Sequence, residues 1–533
     1  MKWTAWKISW KILWLLFVIA DSPVFASGQA SDIQAADAST ESDTTAELLK
    51  KVDQLVDQNI QLEKQNRELM EEIGALRRVV NKKPSETTQA LEKAVVETVL
   101  PEASRPHQPV SQSANQRSGR TYNPDNDDKT RLPEASDGNP AVFGEFNPGR
   151  GFTVASGELG TLNFSGYMVA RYLNQLPPNQ SATDHLGRPI TVDPRNDFQF
   201  HRVMLFSQGW LFTPKFQYGT FVWTVQDTNQ VAVGGALTYT FNKYMTLGGG
   251  WNAYPGTQSL QGSHPYWTSY DRVMADEYFR PFFSQGVFAF GHLLPALEYR
   301  WMVGNNNSNL DTPAVKLDRD LSAGFAFTWL PTTKEFGPRG AFGDYENHEK
   351  VATRFNLAYT YSPEDRQAAL GSATTNTTLR IGDSLNVFDP NTFANNVTVT
   401  DVHYKLLTAS AGMKYHGFWL QGEGYSRWLD HFKATGPLPM SDIRDTGFYV
   451  QLSDMVIQNR LELYGATSYI FTKYGHDPKE FIVGTNYYPW NTRNLRLNVQ
   501  LINVDHSPVS STFGFYTGQL TGQVFSFGMT ALY

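Results

Sequence analysis

The chain has no cysteine in 533 residues. That excludes disulfides, thiolate metal sites and cysteine nucleophiles. Charged side chains are sparse at 18% and the net charge is only −7, so no basic surface marks a nucleic-acid partner. After the first twenty residues no stretch approaches the ~18 unbroken apolar residues of a transmembrane helix. Catalytic spacings are missing as well. No His-Glu-x-x-His, G-x-S-x-G, P-loop or Rossmann fingerprint stands in a suitable context, so the sequence points to no enzyme, no metal and no cofactor. Aromatic residues, at 14%, are the abundant class, and Tyr and Trp near strand ends suit the two interfaces of a bilayer.

The N-terminal region reads as an address followed by an oligomerising segment. Lys2, Lys7 and Lys11 precede an apolar run from Ile12 to Ala20, shorter than the ~20 residues needed to span a bilayer. Val24-Phe25-Ala26 then offers a signal-peptidase site, so residues 1–26 are predicted to be removed. Residues 27–44 are a polar spacer. Over 45–83, Leu48, Leu55, Leu62, Leu69 and Leu76 repeat at d, and Val52, Asn59, Asn66, Ile73 and Val80 at a. Such a strict repeat forces a left-handed coiled coil, and asparagines at a fix its register at some cost in stability. They lean toward two strands and leave three open. Pro84 ends the helix. Residues 84–150, rich in Pro, Ser, Asn and Gln, read as a disordered linker.

From Gly151 onward the period changes to two. In 494–503, Leu495, Leu497, Val499 and Leu501 share one face, while Asn494, Arg496, Asn498 and Gln500 share the other. The last segment repeats this, with Phe525, Phe527, Met529, Ala531 and Tyr533 on its apolar face. Lipid outside and water inside demand such alternation. The predicted fold is therefore all-β, a transmembrane antiparallel barrel over 151–533. Sixteen strands are centred near Tyr167, Leu205, Val222, Leu237, Leu247, Phe288, Tyr299, Phe325, Leu357, Ala409, Gly422, Val450, Tyr464, Val483, Leu497 and Phe527. Short turns, the first at Pro214-Lys215, mostly alternate with long loops at 173–196, 254–284, 305–318, 362–401, 429–445 and 505–518. The alternation marks periplasmic and outer ends. One connection, 331–350, is long where a short turn is due.

The segments GFTVASGELGTLNFSGYMVARY, FQFHRVMLFSQGWLFTPKFQYGTFVWTV and FIVGTNYYPWNTRNLRLNVQ resemble strands of the phosphate-selective porin O and P family, with His201-Arg202 where that family usually has two arginines. The resemblance implies a sixteen-stranded trimeric pore whose third outer loop folds into the lumen. A terminal aromatic also resembles the sorting signal of Gram-negative outer-membrane barrels, with Phe525, Phe527, Met529 and Tyr533 as its residues.

Loop 254–284 takes the place of the constriction loop, with Asp271, Arg272, Asp276, Glu277 and Arg280 as candidate eyelet charges. It has no lysine, which departs from what phosphate selection needs. Alternation assigns Glu298, Arg300, Arg354, Lys414, Glu423, Arg427, Arg460, Glu462 and Arg496 to the lumen wall. The bland reading of these charges is mutual pairing that keeps a wet barrel neutral. The leading expectation is an outer-membrane porin with a weak anion preference and its coiled coil in the periplasm. Its partners would be lipid and further copies of itself, with no nucleic acid. The alternative is an adhesin or cell-wall tether anchored by the barrel, which an occluded lumen would favour.

Overall fold

The computed structural model describes Lys64 and residues 151–533, apart from 226–229, 262–265, 308–319, 375, 377–378, 511–513 and 515. The predicted signal peptide, spacer, coiled coil and linker lie outside the described residues, Lys64 excepted.

Among the described residues nineteen strands are formed: β1 Phe152–Gly157, β2 Gly160–Leu176, β3 Gln180–Thr183, β4 Pro189–Val192, β5 Asn196–Leu211, β6 Thr213–Val225, β7 Gln230–Asn242, β8 Met245–Ala253, β9 Phe283–Leu294, β10 Leu297–Gly304, β11 Ser322–Trp329, β12 Ala352–Asp365, β13 Val399–Tyr415, β14 Phe418–Ala434, β15 Ile443–Ile457, β16 Leu461–Phe471, β17 Lys479–Tyr487, β18 Leu495–Asp505 and β19 Gly522–Leu532. β3 and β4 form a separate hairpin inside the first long loop. β2 and β5 to β19 pair antiparallel in sequence order, and β19 returns to β2 over Gln523↔Leu176 to Leu532↔Tyr167. Closure leaves the ring without an edge, which a barrel in a low-dielectric medium requires.

Each predicted centre falls in one of the sixteen ring strands, because the signal was the alternation itself. β18 alternates half-exposed with buried residues along its length. Its inward side is polar (Arg496, Asn498, Gln500), whereas outward Val499 and Leu501 are exposed. On β19, Phe525, Phe527 and Met529 face outward and Ser526 and Thr530 inward. Outward Leu407, Leu420, Phe448 and Val450 continue the belt. A continuous row of exposed apolar side chains is costly in water and favourable against hydrocarbon.

Several boundaries differ from the prediction. The first turn lies at Phe212, whose φ is 61°, so Pro214 and Lys215 belong to β6. Residues 429–434 and 443–445, expected as loop, are strand. The opening segment is two strands, with β1 pairing with β2 from Phe152↔Phe164 to Gly157↔Gly160. β1 occupies the edge of β2 below the end of β19. There Tyr533 exchanges both backbone hydrogen bonds with Gly166, at 3.0 Å each, and its ring stacks on Phe152.

Candidate functional site: a filled lumen

The loop 254–282 runs inside the barrel and carries two short helices, α1 Gln258–Gln261 and α2 Met274–Phe279. Many of its backbone groups are satisfied by the wall, as buried backbone demands. The Gln258 N–H donates to Glu423 Oε1 at 2.9 Å, and the Met274 N–H to Glu480 Oε1 at 2.5 Å. Thr408 donates to the Gly256 carbonyl at 2.6 Å, and Tyr404 to the Phe279 carbonyl at 2.6 Å. Across the lumen, Tyr270 donates to the Ala170 carbonyl at 2.6 Å. Asn486 donates to the Thr268 carbonyl at 2.8 Å, and Arg496 donates to the Trp267 carbonyl. The loop thus touches β2, β13, β14, β17 and β18 and spans the bore.

Its five candidate charges lie among these contacts, paired rather than bare. Arg202 meets Asp271 at 3.2 Å and Arg272 meets Asp276 at 3.3 Å. Arg280 meets Glu277 at 3.0 Å. The Arg272 guanidinium also lies 4.5 Å from the Trp267 ring centre.

The connection 330–351 enters from the opposite mouth. Phe342 is its innermost contact. The Phe342 N–H donates to the Tyr266 carbonyl of the long loop at 2.9 Å, and its ring stacks on Trp419 at 5.3 Å. Leu330, Phe336, Phe342, Trp267, Ala352 and Trp419 form one buried cluster. Lys414 donates to the Phe336 carbonyl at 2.9 Å, and Arg354 lies 4.2 Å from the Phe336 ring centre. At the base, Asp344 accepts the Gly417 N–H at 2.7 Å. Glu346 pairs with Arg493 at 3.1 Å. Gly343 has φ 72°, and a Cβ there would lie 2.4 Å from Glu462 Oε1, so glycine is favoured at that point.

His348 locks the base of this insert. Its Nδ1 bonds Asp344, and its Nε2 lies 3.0 Å from Glu335 Oε1. Burial disfavours the imidazolium, but the bonds to Asp344 and Glu335 outweigh burial and hold His348 up at about 9. Burial raises the two acids, and the His348 partner reverses this, leaving both below the usual carboxylate range.

The outer mouth is covered too. His185, beside the β3–β4 hairpin, pairs with Asp383 at 2.5 Å. Arg188 donates to the Asn391 carbonyl at 3.0 Å, and Gln519 to the Gly382 carbonyl at 3.3 Å. Leu379, Ile381, Val387, Phe388 and Phe393 are buried beneath these contacts.

The wall charges can now be placed. Arg354, Lys414, Glu423, Arg427, Glu462 and Arg496 are buried on the inward row, and Glu298 and Arg300 stand half-buried on the same face of β10. Arg460 does not join them. It is exposed in the turn between β15 and β16, with its guanidinium over the outward Tyr487 ring, because Asn459 at φ 58° breaks the alternation there. Buried inward charges missed by the sequence are Arg171, Arg202, Glu364, Asp445 and Glu480. The expected excess of inward base over acid therefore shrinks. Arg427 and Asp445 pair at 2.5 Å with both side chains 1% exposed. The side chain of His201 lies outside the described atoms.

Comparison with known proteins adds fold likeness alone. No protein-family model matches the chain, and no curated protein matches it. Among solved structures, OmpT expressed in the outer membrane of Vibrio cholerae is 11% identical. It covers 72% of this chain and 100% of its own at a TM-score of 0.46. The anion-selective porin from Comamonas acidovorans is 10% identical, covering 70% and 100%, at 0.42. The outer membrane channel DcaP of Acinetobacter baumannii is 10% identical, covering 72% and 99%, at 0.40. At such distances function has to be read from this chain's own side chains.

Among the described residues, two groups bring three possible metal ligands together: Asp344, Glu346 and His348, and His403, Asp430 and His431. The first is already tied to Gly417, Arg493 and Glu335 as described, and the Lys414 ammonium lies 3.8 Å from Glu346.

Proposed function

We propose that this chain is an outer-membrane diffusion pore for small hydrophilic solutes, held closed in the described conformation. One observation carries the reading: an inward row that sets charged and amide side chains among buried apolar ones, and an exposed apolar outward row, on the ring of sixteen strands. A barrel serving only as an anchor has no need of a charged, hydrogen-bonding wall. The wall here carries arginine at several levels, from Arg171 and Arg202 through Arg354 and Arg427 to Arg496. Inward acids nearly balance these bases, so selectivity is slight, with a weak lean toward anions. The insert 330–351 is the part that closes the bore from the turn end, and the loop 254–282 forms the constriction. Assembly as a trimer through the 45–83 heptads completes the proposal.

The filled lumen favours a second reading, in which the barrel anchors a tether and passes nothing. Planar-bilayer recording of the full chain separates the two. The pore reading expects discrete conductance steps. Reversal potentials in a potassium chloride gradient should show a small anion bias at low salt. That bias should fade as the Debye length drops below ~10 Å, and Arg300→Glu with Arg496→Glu should move it toward cations. A folded, inserted chain that never conducts would establish the tether reading instead.

A further inference from the structure

We propose a divalent transition-metal site on the outer surface of the barrel, formed by His403, Asp430 and His431 and suited to Zn²⁺. The register explains why these residues meet. His403 on β13 is the direct cross-strand partner of Asp430 on β14, and the pairing slips between Asp401 and His403. The slip gives β14 one extra residue. Leu429 is buried in the lumen-side cluster, and Phe432 and Ala434 pack against the same cluster. Asp430 and His431 between them therefore both leave the inward row. His431 is the bulged residue, at φ 55°. Bulges of this kind re-aim a side chain, and here the bulge lays one imidazole over the other. The rings are 4.6 Å apart and 18° from parallel.

One ligand atom from each of the three residues lies within 4.8 Å of the others. Two flanking groups orient them, as outer partners of metal ligands do. Tyr361 Oη lies 3.3 Å from His403 Nδ1, and Lys405 Nζ donates to Asp430 Oδ2 at 2.6 Å. Lys433 pairs with Asp401 at 3.1 Å, and exposed Asp320 also acts on His403. Three carboxylates thus face two ammonium groups, a balance that welcomes a cation. Two imidazoles and one carboxylate with solvent on the open side suit Zn²⁺, Ni²⁺ or Cu²⁺ rather than the all-oxygen shells of Ca²⁺ and Mg²⁺. The bound ion would clasp β13 to β14 at the loop end.

The test uses the full chain, folded in detergent and stripped with chelator, with Zn²⁺ alone as the probe. Competition against a chromophoric chelator should report micromolar binding. His403→Ala with His431→Ala should weaken it at least ~10-fold, the loss expected for a missing ligand, while His348→Ala leaves it unchanged. Both histidines lie outside the lumen packing, so heat-modifiable mobility should show a folded barrel in the double variant. Co²⁺ loaded in place of Zn²⁺ should give visible absorption in the native chain that the double variant loses. Equal Zn²⁺ affinity in the native chain and the double variant would overturn the site, as would a loss caused by His348→Ala alone.

Discussion

If the insert 330–351 closes the bore, its innermost contact sets how often the bore opens. Phe342 is the residue to perturb. Its ring is 6% exposed and stacks on Trp419, while its backbone N–H holds the Tyr266 carbonyl. Phe342→Ala keeps the backbone bond and removes the ring. A buried phenylalanine truncated to alanine costs ~3–5 kcal/mol in a packed core. At about 1.4 kcal/mol per tenfold, even ~3 kcal/mol raises the ratio of undocked to docked insert about 100-fold. An open fraction of about 0.1% would become about 10%. Single-channel recording should therefore show far more frequent openings. Their unit conductance should change little, because the loop 254–282 still crosses the lumen. Phe342→Leu, which keeps apolar volume, should fall between the two. An unchanged open probability in a Phe342→Ala chain with normal heat-modifiable mobility would refute the reasoning.

The lock at His348 predicts a pH dependence. A histidine raised to about 9 on docking stabilises the docked insert fully below ~6.5 and stops doing so as pH rises through about 9. The lowered acids Asp344 and Glu335 act oppositely and lose their contribution as pH falls toward their own titration. Openings should thus be rarest between about pH 5 and 6.5, rise as the pH climbs from ~6.5 to about 9, and level off above that, and His348→Gln should flatten this alkaline limb. Phe527→Lys should block barrel assembly, because a lysine on the lipid face costs ~2–4 kcal/mol near the midplane. Normal gel mobility of that variant would mean the faces are reversed. A peptide covering 45–83 should oligomerise in sedimentation equilibrium, its seam being apolar at eight of ten a and d positions. A monomer at tens of micromolar would count against the coiled coil, and a dimer against its serving a trimer.

The strands were legible because each lies between two media and must alternate, a local signal. What fills the barrel beyond the loop 254–284 was not. The length of 331–350 stood out, yet its entry into the lumen depends on Phe342 meeting Trp419, a contact no period encodes. Arg460 was misplaced by counting in twos across a turn that resets the count. Glu364 and Asp445 were missed because they sit where strands run on beyond the expected loop boundaries. Arg171 lies on the unbroken alternating row of β2 and was legible by the same count, whereas Arg202 lies beside a register shift that gives β5 an extra residue, where counting by alternation fails. Likewise, His403 and His431 show no ligand spacing. They meet only because hairpin register plus one bulged residue brings them together.

The hydrogen bond from Phe342 to Tyr266 joins segments that enter the barrel from opposite mouths, and this constrains the order of assembly. The insert docks and undocks at its own mouth, whereas the loop 254–282 is bonded to wall strands all round the bore. Tyr270 and Arg171 reach Ala170 and Gly514 across sequence separations of 100 and 343 residues, so the contents share partners with the seam between β2 and β19. Such non-local contacts collect their closure entropy before any reward and make folding slow. The ring is therefore expected to seal around the loop 254–282 already in place. The rate of that last step should report how well the interior has been packed, not how readily strands pair.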